Sequence, residues 1–128
     1  KKKLMALDRK TQNSEMQKLG SAPMWAIGSV HAVTEDGHVL IASNTGSQLP
    51  AYAYGAEHVI WVVGAQKIVK NTEEGLKRIY EHSLPLESER ARKAYGVAGS
   101  SVNKILIFNK EIQDKRITLI LVNEVLGF

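Results

Sequence analysis

Residues 58–64, HVIWVVG, form an unbroken apolar run rich in β-branched side chains, and that run limits the fold more than any other stretch of the chain. It is strand-sized, far below the roughly 18 residues that a membrane span requires. Because polar residues do not alternate within it, it reads as a buried strand with parallel neighbours, the situation found where crossover segments cover a sheet. ITLILV, at residues 117–122, repeats the pattern near the other end of the chain.

The segments around these runs complete an α/β order. WAIGSVHAVTEDGHVLIAS, residues 25–43, reads as a β-hairpin about Asp36-Gly37, a two-residue turn that favours positive φ. Pairing about that turn sets Val33 opposite Leu40 and His31 opposite Ala42. Val30, Ala32, Val39 and Ile41 then fall on one face and Val33, Leu40 and Ala42 on the other, so the hairpin belongs inside a larger sheet. Residues 3–19 carry Leu4, Leu7, Met16 and Leu19 at weakly helical spacing, with Gly20 placed as a C-cap. Leu49, Tyr52 and Ala53 form a second helical face, with Pro50 in the first turn and Gly55 at the end. In NTEEGLKRIYEHSL, Asn71 and Glu74 have capping-box spacing, Leu76, Ile79, Tyr80 and Leu84 share one face, and Pro85 is expected to stop the helix. ESERARKAYG is a short charged helix ending at Gly96. KILIFNK and RITLILVNEVLGF supply two further strands, and the polar NKEIQDKR between them suits a hairpin. The expected architecture is a single α/β domain over 1–128, a layered mixed sheet flanked by helices, with 1–20 as an N-terminal helical segment.

Several function classes lose support. The chain has no cysteine, which excludes a disulfide framework, a thiolate zinc site and any iron–sulfur cluster held by this chain alone. Neither G-x-G-x-x-G nor G-x-x-x-x-G-K-[ST] occurs, and no serine sits in a G-x-S-x-G elbow. His31, His38, His58 and His82 lack the i, i+4 spacing of a helical zinc pair, and His31 reads as a hydrogen-bonded core residue, so no metal is expected. The net charge is +4, but acids interleave with bases in EEGLKRIYEH and LESERARKAYG. That pattern describes an ion-paired surface and no nucleic-acid partner, while the surplus suits small anions. KKKLMALDRK has charge without an apolar stretch behind it, so no signal peptide and a cytoplasmic setting are expected. Trp61, Tyr52 and Tyr80 read as core packing.

Three stretches carry candidate chemistry. In SNTGSQ, residues 43–48, a strand-to-helix junction would leave the amides of Gly46 to Leu49 at a helix N-terminus, where free N–H groups and the helix dipole favour a carboxylate or phosphate. Asn44, Thr45, Gly46, Ser47 and Gln48 are the candidate ligand residues, with Thr45 and Ser47 adding hydroxyls. The alternative is that Thr45 or Ser47 is only an N-cap. In YGVAGSSVNK, residues 95–104, Gly99 permits close backbone approach, Ser100 and Ser101 offer hydroxyls and Lys104 offers a positive charge; the alternative is a helix C-cap and a connection. Both loops lie at strand ends, where open α/β sheets bind ligands, so they are candidates to converge on one anion. Glu35, beside the hairpin turn, is the candidate catalytic carboxylate, as nucleophile or general base, against a plain solvated turn residue.

Taken in order, AIGSVHAVTEDGHVLIASNTGSQLPAYAYGAEHVIWVVGAQKIV, YGVAGSSVNKILIFNKE and RITLILVNEVLGF resemble the lactate utilisation (LUD) domain family, whose members include lactate utilisation protein C. The resemblance covers residues 20–128. Glu35 and Gly37 stand at positions matching the family's acidic turn, and Gln66 and Lys67 follow its next strand. The resemblance implies a fold similar to the glucosamine-phosphate deaminase, ribose-phosphate isomerase and CoA-transferase group. It also implies a role in oxidation of L-lactate, with no cofactor in this chain and iron–sulfur centres in partner subunits. Family domains carry further α/β structure ahead of the region of Trp25, so the chain is expected to be the C-terminal portion of a longer domain. NTGSQLPAYAYGAEH departs from the lactate utilisation protein C type. A small carboxylate or phosphate ligand is the expected partner, with homo-oligomerisation open. The other readings are a CoA-ester or sugar-phosphate transferase or isomerase, and a non-catalytic ligand-binding domain.

Overall fold

The computed structural model describes Asp8 and residues 11–128. Its elements are helix α1 (Asn13–Ser21), strands β1 (Trp25–Gly28), β2 (Ala32–Thr34) and β3 (Val39–Ser43), a π-helical turn (Ala51–Gly55), and β4 (His58–Gly64). There follow β5 (Ile68–Val69), helix α2 (Thr72–Arg78), a second π-helical turn (Ile79–Ser83), helix α3 (Leu84–Tyr95), β6 (Lys104–Phe108) and β7 (Ile117–Val122). Leu4 and Leu7 of the expected first helix lie outside the described residues. Gly20 falls inside α1, whose C-cap is Ala22.

The protein is α/β with mixed pairing and flanking helices, but its strands divide into two sheets. One has the order β1-β4-β7 and is wholly parallel; the other has the order β5-β2-β3-β6 and is mixed. HVIWVVG is the central strand of the parallel sheet, as its apolar run implies. Burial nevertheless alternates along it: Val59, Trp61 and Val63 face the interior, while Val62 is exposed on the far side, where Trp25 stacks on His58 at 4.3 Å.

The hairpin forms with a different turn. Thr34 N–H donates to His38 C=O (2.8 Å), Gly37 N–H donates to Thr34 C=O (3.0 Å), and Gly37 has φ 92°. Glu35, Asp36 and Gly37 thus make a three-residue loop with the glycine in the left-handed position, in place of the two-residue turn expected from Asp36-Gly37. The extra residue shifts the register by one, so Ala32 faces Leu40 and Val33 faces Val39. A one-residue shift exchanges faces. Ala32, Leu40 and Ala42 pack with Ile79 under the helices, whereas Val33, Val39 and Ile41 enter the core between the sheets. Both faces are buried, as expected.

Two further departures follow from long-range pairing. WAIG leaves the hairpin and pairs in parallel with β4. β6 and β7 are not a hairpin either: β6 runs antiparallel to β3 and β7 parallel to β4, so the connection over 109–116 crosses from one sheet to the other. Trp61 occupies the centre of the inter-sheet core, edge-on to Tyr52 and Phe108 at 5.4 and 5.3 Å between ring centroids.

Asn71 caps α2 as its spacing implied, its side chain accepting from Glu74 N–H at 2.9 Å. Pro85, however, does not end the helix. It sits in the first turn of α3, just after a π turn that spaces the backbone more widely and accommodates both its missing N–H and its ring. The helical path therefore runs on to Gly96, left-handed at φ 65°. The π turn also rotates Tyr80 into solvent while Ile79 stays buried.

Gly28 is required where β1 passes the core, since a Cβ there would overlap the Tyr52 hydroxyl. Gly28→Ala should lower the unfolding free energy by about 1–3 kcal/mol, the usual cost of overpacking, seen as a lower urea midpoint at unchanged slope.

Candidate functional site

Beyond the C-terminal end of β3 and the N-terminal end of β6 lies a polar cleft of about 590 Å³, roofed by the second π turn and α3. Asn44, Thr45, Ser47 and Gln48 line one side and Ser100 and Ser101 the other. The two loops singled out from the sequence therefore share one space, although more than fifty residues separate them. His31, Ser83, Glu87, Arg90 and Tyr95 complete its polar lining, with Ile79 and Val102 among its apolar residues.

The first loop is held by its own short polar side chains. Ser43 Oγ accepts from Gly46 N–H (2.7 Å) and donates to Gln48 Oε1 (2.9 Å), and Thr45 Oγ1 accepts from Ser47 N–H (3.2 Å). Leu49 N–H donates to Gly46 C=O at 3.1 Å. The expected row of free amides does not form, because Gly46, Ser47 and Leu49 bond within the chain. What faces the cleft is a set of hydroxyl and amide side chains. Just before β6, Asn103 Nδ2 donates to Asn44 Oδ1 (2.8 Å), and from its first residue Lys104 Nζ donates to Thr45 C=O (2.8 Å). The second loop is fastened to α3, where Ser88 Oγ accepts from Ser100 N–H at 3.1 Å.

Some candidate residues build the site without lining it. Gly46, at φ 86°, makes the bend over which the Lys104 side chain lies. Gly99, at φ 155°, packs near Ser88 and Arg92. Glu35 lies on the exposed hairpin turn, its N–H donating to Val69 C=O (2.9 Å), and is not among the cleft residues.

His31 has a defined protonation state. Its Nδ1 accepts from Ala42 N–H at 3.0 Å, so the ring is neutral with its proton on Nε2. Burial lowers its pKa to about 4; the Lys67 and Arg78 charges act in the same direction and Glu87 opposes them. Lys67 is itself buried, and Nζ donates to Val30 C=O (2.9 Å) and Ser29 Oγ (3.3 Å), with burial lowering its pKa. Arg78 donates to His31 C=O (2.8 Å) and Ser83 Oγ (3.0 Å). These two cations fix the link between β1 and β2 that carries His31.

Glu87 and Arg90 were hidden in a helix that reads as solvated. Arg90 Nε donates to Glu87 Oε2 at 2.9 Å, Nη2 bonds the other oxygen, and the guanidinium lies 5.7 Å from the centre of the Tyr95 ring. Hydrogen bonding to Arg90 holds the Glu87 carboxyl below the usual range. A signal for this face existed in the spacing Ile79, Ser83, Glu87, Arg90, whose steps of four, four and three residues place them along one side of a helix.

Among the described residues there is no cluster of three His, Cys, Asp or Glu side chains able to hold a metal, and no helix long and apolar enough to cross a membrane. A family model described as LUD domain matches residues 1–122. No curated protein and no solved structure matches the chain.

Proposed function

The chain belongs to the LUD domain family, which is associated with lactate utilisation, and from that premise we propose that its cleft holds a small carboxylate such as L-lactate or pyruvate. In this reading the domain serves an oxidoreductase system whose iron–sulfur centres lie in partner subunits, since the chain has no cysteine to ligate one. The observation that carries the reading is the convergence of the 44–48 and 100–101 loops with Arg90 and His31 on one cleft. Its size lies within the range of small-molecule sites.

Each polar group has a use. Arg90 presents a planar fork already oriented by Glu87, and its remaining edge suits a carboxylate. His31 Nε2–H donates to a hydroxyl or carbonyl oxygen while staying uncharged at neutral pH. Thr45, Ser47, Ser100 and Ser101 supply further donors.

Titration calorimetry with L-lactate, pyruvate and inorganic phosphate tests this. Saturable carboxylate binding is expected, weakened at least about tenfold by Arg90→Gln, a loss of about 1.4 kcal/mol, and unchanged by Lys93→Gln on the same helix. No heat with either carboxylate, or equal affinity in Arg90→Gln, would reject the assignment.

A further inference from the structure

Gln66, singled out with Lys67 after β4, is not among the cleft residues. It sits in a 3₁₀ turn (Ala65–Lys67) and grips segment 123–128, which follows β7 and passes over the end of β4. Gln66 Nε2 donates to Leu126 C=O at 2.7 Å and Leu126 N–H donates to Gln66 Oε1 at 3.3 Å, so the side-chain amide takes the place of a neighbouring strand. The segment lies so close over Gly64 that a Cβ there would stand 2.6 Å from Leu126 N and 2.8 Å from the Glu124 carbonyl oxygen. It then bends at Gly127, φ 67°, beside Lys67 Nζ, and Phe128 C=O accepts from Ser83 Oγ at 3.1 Å.

Ser83 is where this segment meets the cleft. Its side chain is buried and lines the cleft, and Arg78, which also holds His31 C=O, donates to its oxygen. A hydroxyl has one proton. With Arg78 donating to the oxygen, that proton goes either to Phe128 C=O or to an anion in the cleft. A carboxylate is the stronger acceptor, because a charge-assisted bond exceeds one between neutral groups. Resting on the carboxylate assignment of the cleft, we propose that segment 123–128 is a strap linked to ligand binding through Ser83, docked while the cleft is empty and released when a carboxylate takes the Ser83 proton. Such linkage is reciprocal, so whatever loosens the strap must tighten the ligand.

Two substitutions loosen the strap by different routes: Gln66→Ala removes the clasp, and Gly64→Ala adds a methyl group against the backbone of Leu126 and Glu124. Titration calorimetry with pyruvate should show affinity raised about fivefold in each. In a Ser83→Ala background, which lacks the shared proton, Gln66→Ala should have no effect on affinity. Hydrogen exchange at the Leu126 amide of the parent chain should speed up when pyruvate is added. Pyruvate bound equally by the parent and both loosened variants, or exchange at Leu126 that does not speed up with bound pyruvate, would overturn the strap and leave the carboxylate site intact. A gain from Gln66→Ala that persists with Ser83→Ala would do the same. Pyruvate bound by neither the parent nor the loosened variants would overturn strap and site together.

Discussion

Arg116→Ala should lower the unfolding free energy by about 3–5 kcal/mol, the largest single-residue loss expected in this chain. Arg116 is buried, with Nε donating to Ala56 C=O (2.8 Å), Nη1 to Tyr52 C=O (3.0 Å) and Nη2 to Ala51 C=O (2.8 Å). These carbonyls belong to the last helical turn before β4; Ala51 C=O also accepts from Ala56 N–H (3.1 Å), whereas Arg116 is the partner of Tyr52 C=O and Ala56 C=O. A cation there also faces the negative end of that turn. Glu111 Oε2, 2.8 Å from Nη1, balances the charge. Alanine removes every side-chain donor at once and strands the Tyr52 and Ala56 carbonyls and the largely buried Glu111 carboxylate. Lysine keeps the charge but gathers its donors on one atom, which cannot span carbonyls arranged around a planar fork, so Arg116→Lys should recover only part of the loss. Urea unfolding measures both variants. A loss below about 1 kcal/mol for Arg116→Ala would show that water replaces the clasp.

The same residue shows what local pattern can and cannot reveal. Between β6 and β7 the polar NKEIQDKR looks like a hairpin loop, and nothing within it distinguishes a turn from a crossing between sheets. The distinction rests on Arg116 reaching carbonyls some sixty residues earlier. Features set by neighbours were legible: the strand character of HVIWVVG, the Asn71 cap and the left-handed Gly96 all follow from residues within one turn. Features set by partners were not. Asp36-Gly37 suits a two-residue or a three-residue loop equally, and Thr34 and His38 select the longer one by bonding to each other. WAIG suits either sheet, and β4 takes it.

The cleft divides along the same line. Its loops were visible because serine, threonine, asparagine and glycine concentrate at strand ends. The amides of Gly46, Ser47 and Leu49 are not free as expected, because Ser43 Oγ, Thr45 Oγ1 and Gly46 C=O accept from them, while Thr45 and Ser47, expected to add hydroxyls, line the cleft. Arg90 and Glu87 were missed because a charged helix ordinarily faces solvent, and only the continuation of the helical path past Pro85 sets Glu87 and Arg90 on the same side as Ser83, toward the sheet end.

His31 should make stability depend on pH between about 4 and 6.5, by roughly 3 kcal/mol in total. The folded pKa of about 4 lies below the ordinary 6.5, so in this window the unfolded chain binds a proton that the folded chain refuses. Stability therefore rises with pH from 4 to 6.5 and is flat in this contribution outside it. The cause is structural: Nδ1 is occupied as an acceptor from Ala42 N–H, the ring is largely buried, and Lys67 and Arg78 stand nearby, opposed only by Glu87. Urea unfolding at pH 4.5 and pH 7, compared between the parent chain and His31→Gln, isolates the contribution, since glutamine retains an acceptor and cannot titrate. A difference between the two pH values that survives His31→Gln would assign the dependence to other groups. Ligand binding offers an independent check through the same proton. A carboxylate held beside His31 favours the imidazolium, so at pH 5 its binding should be accompanied by proton uptake that calorimetry in buffers of different ionisation enthalpy can read. An anion that bound with no proton uptake at pH 5 would lie away from His31, placing it on the Arg90 side of the cleft alone.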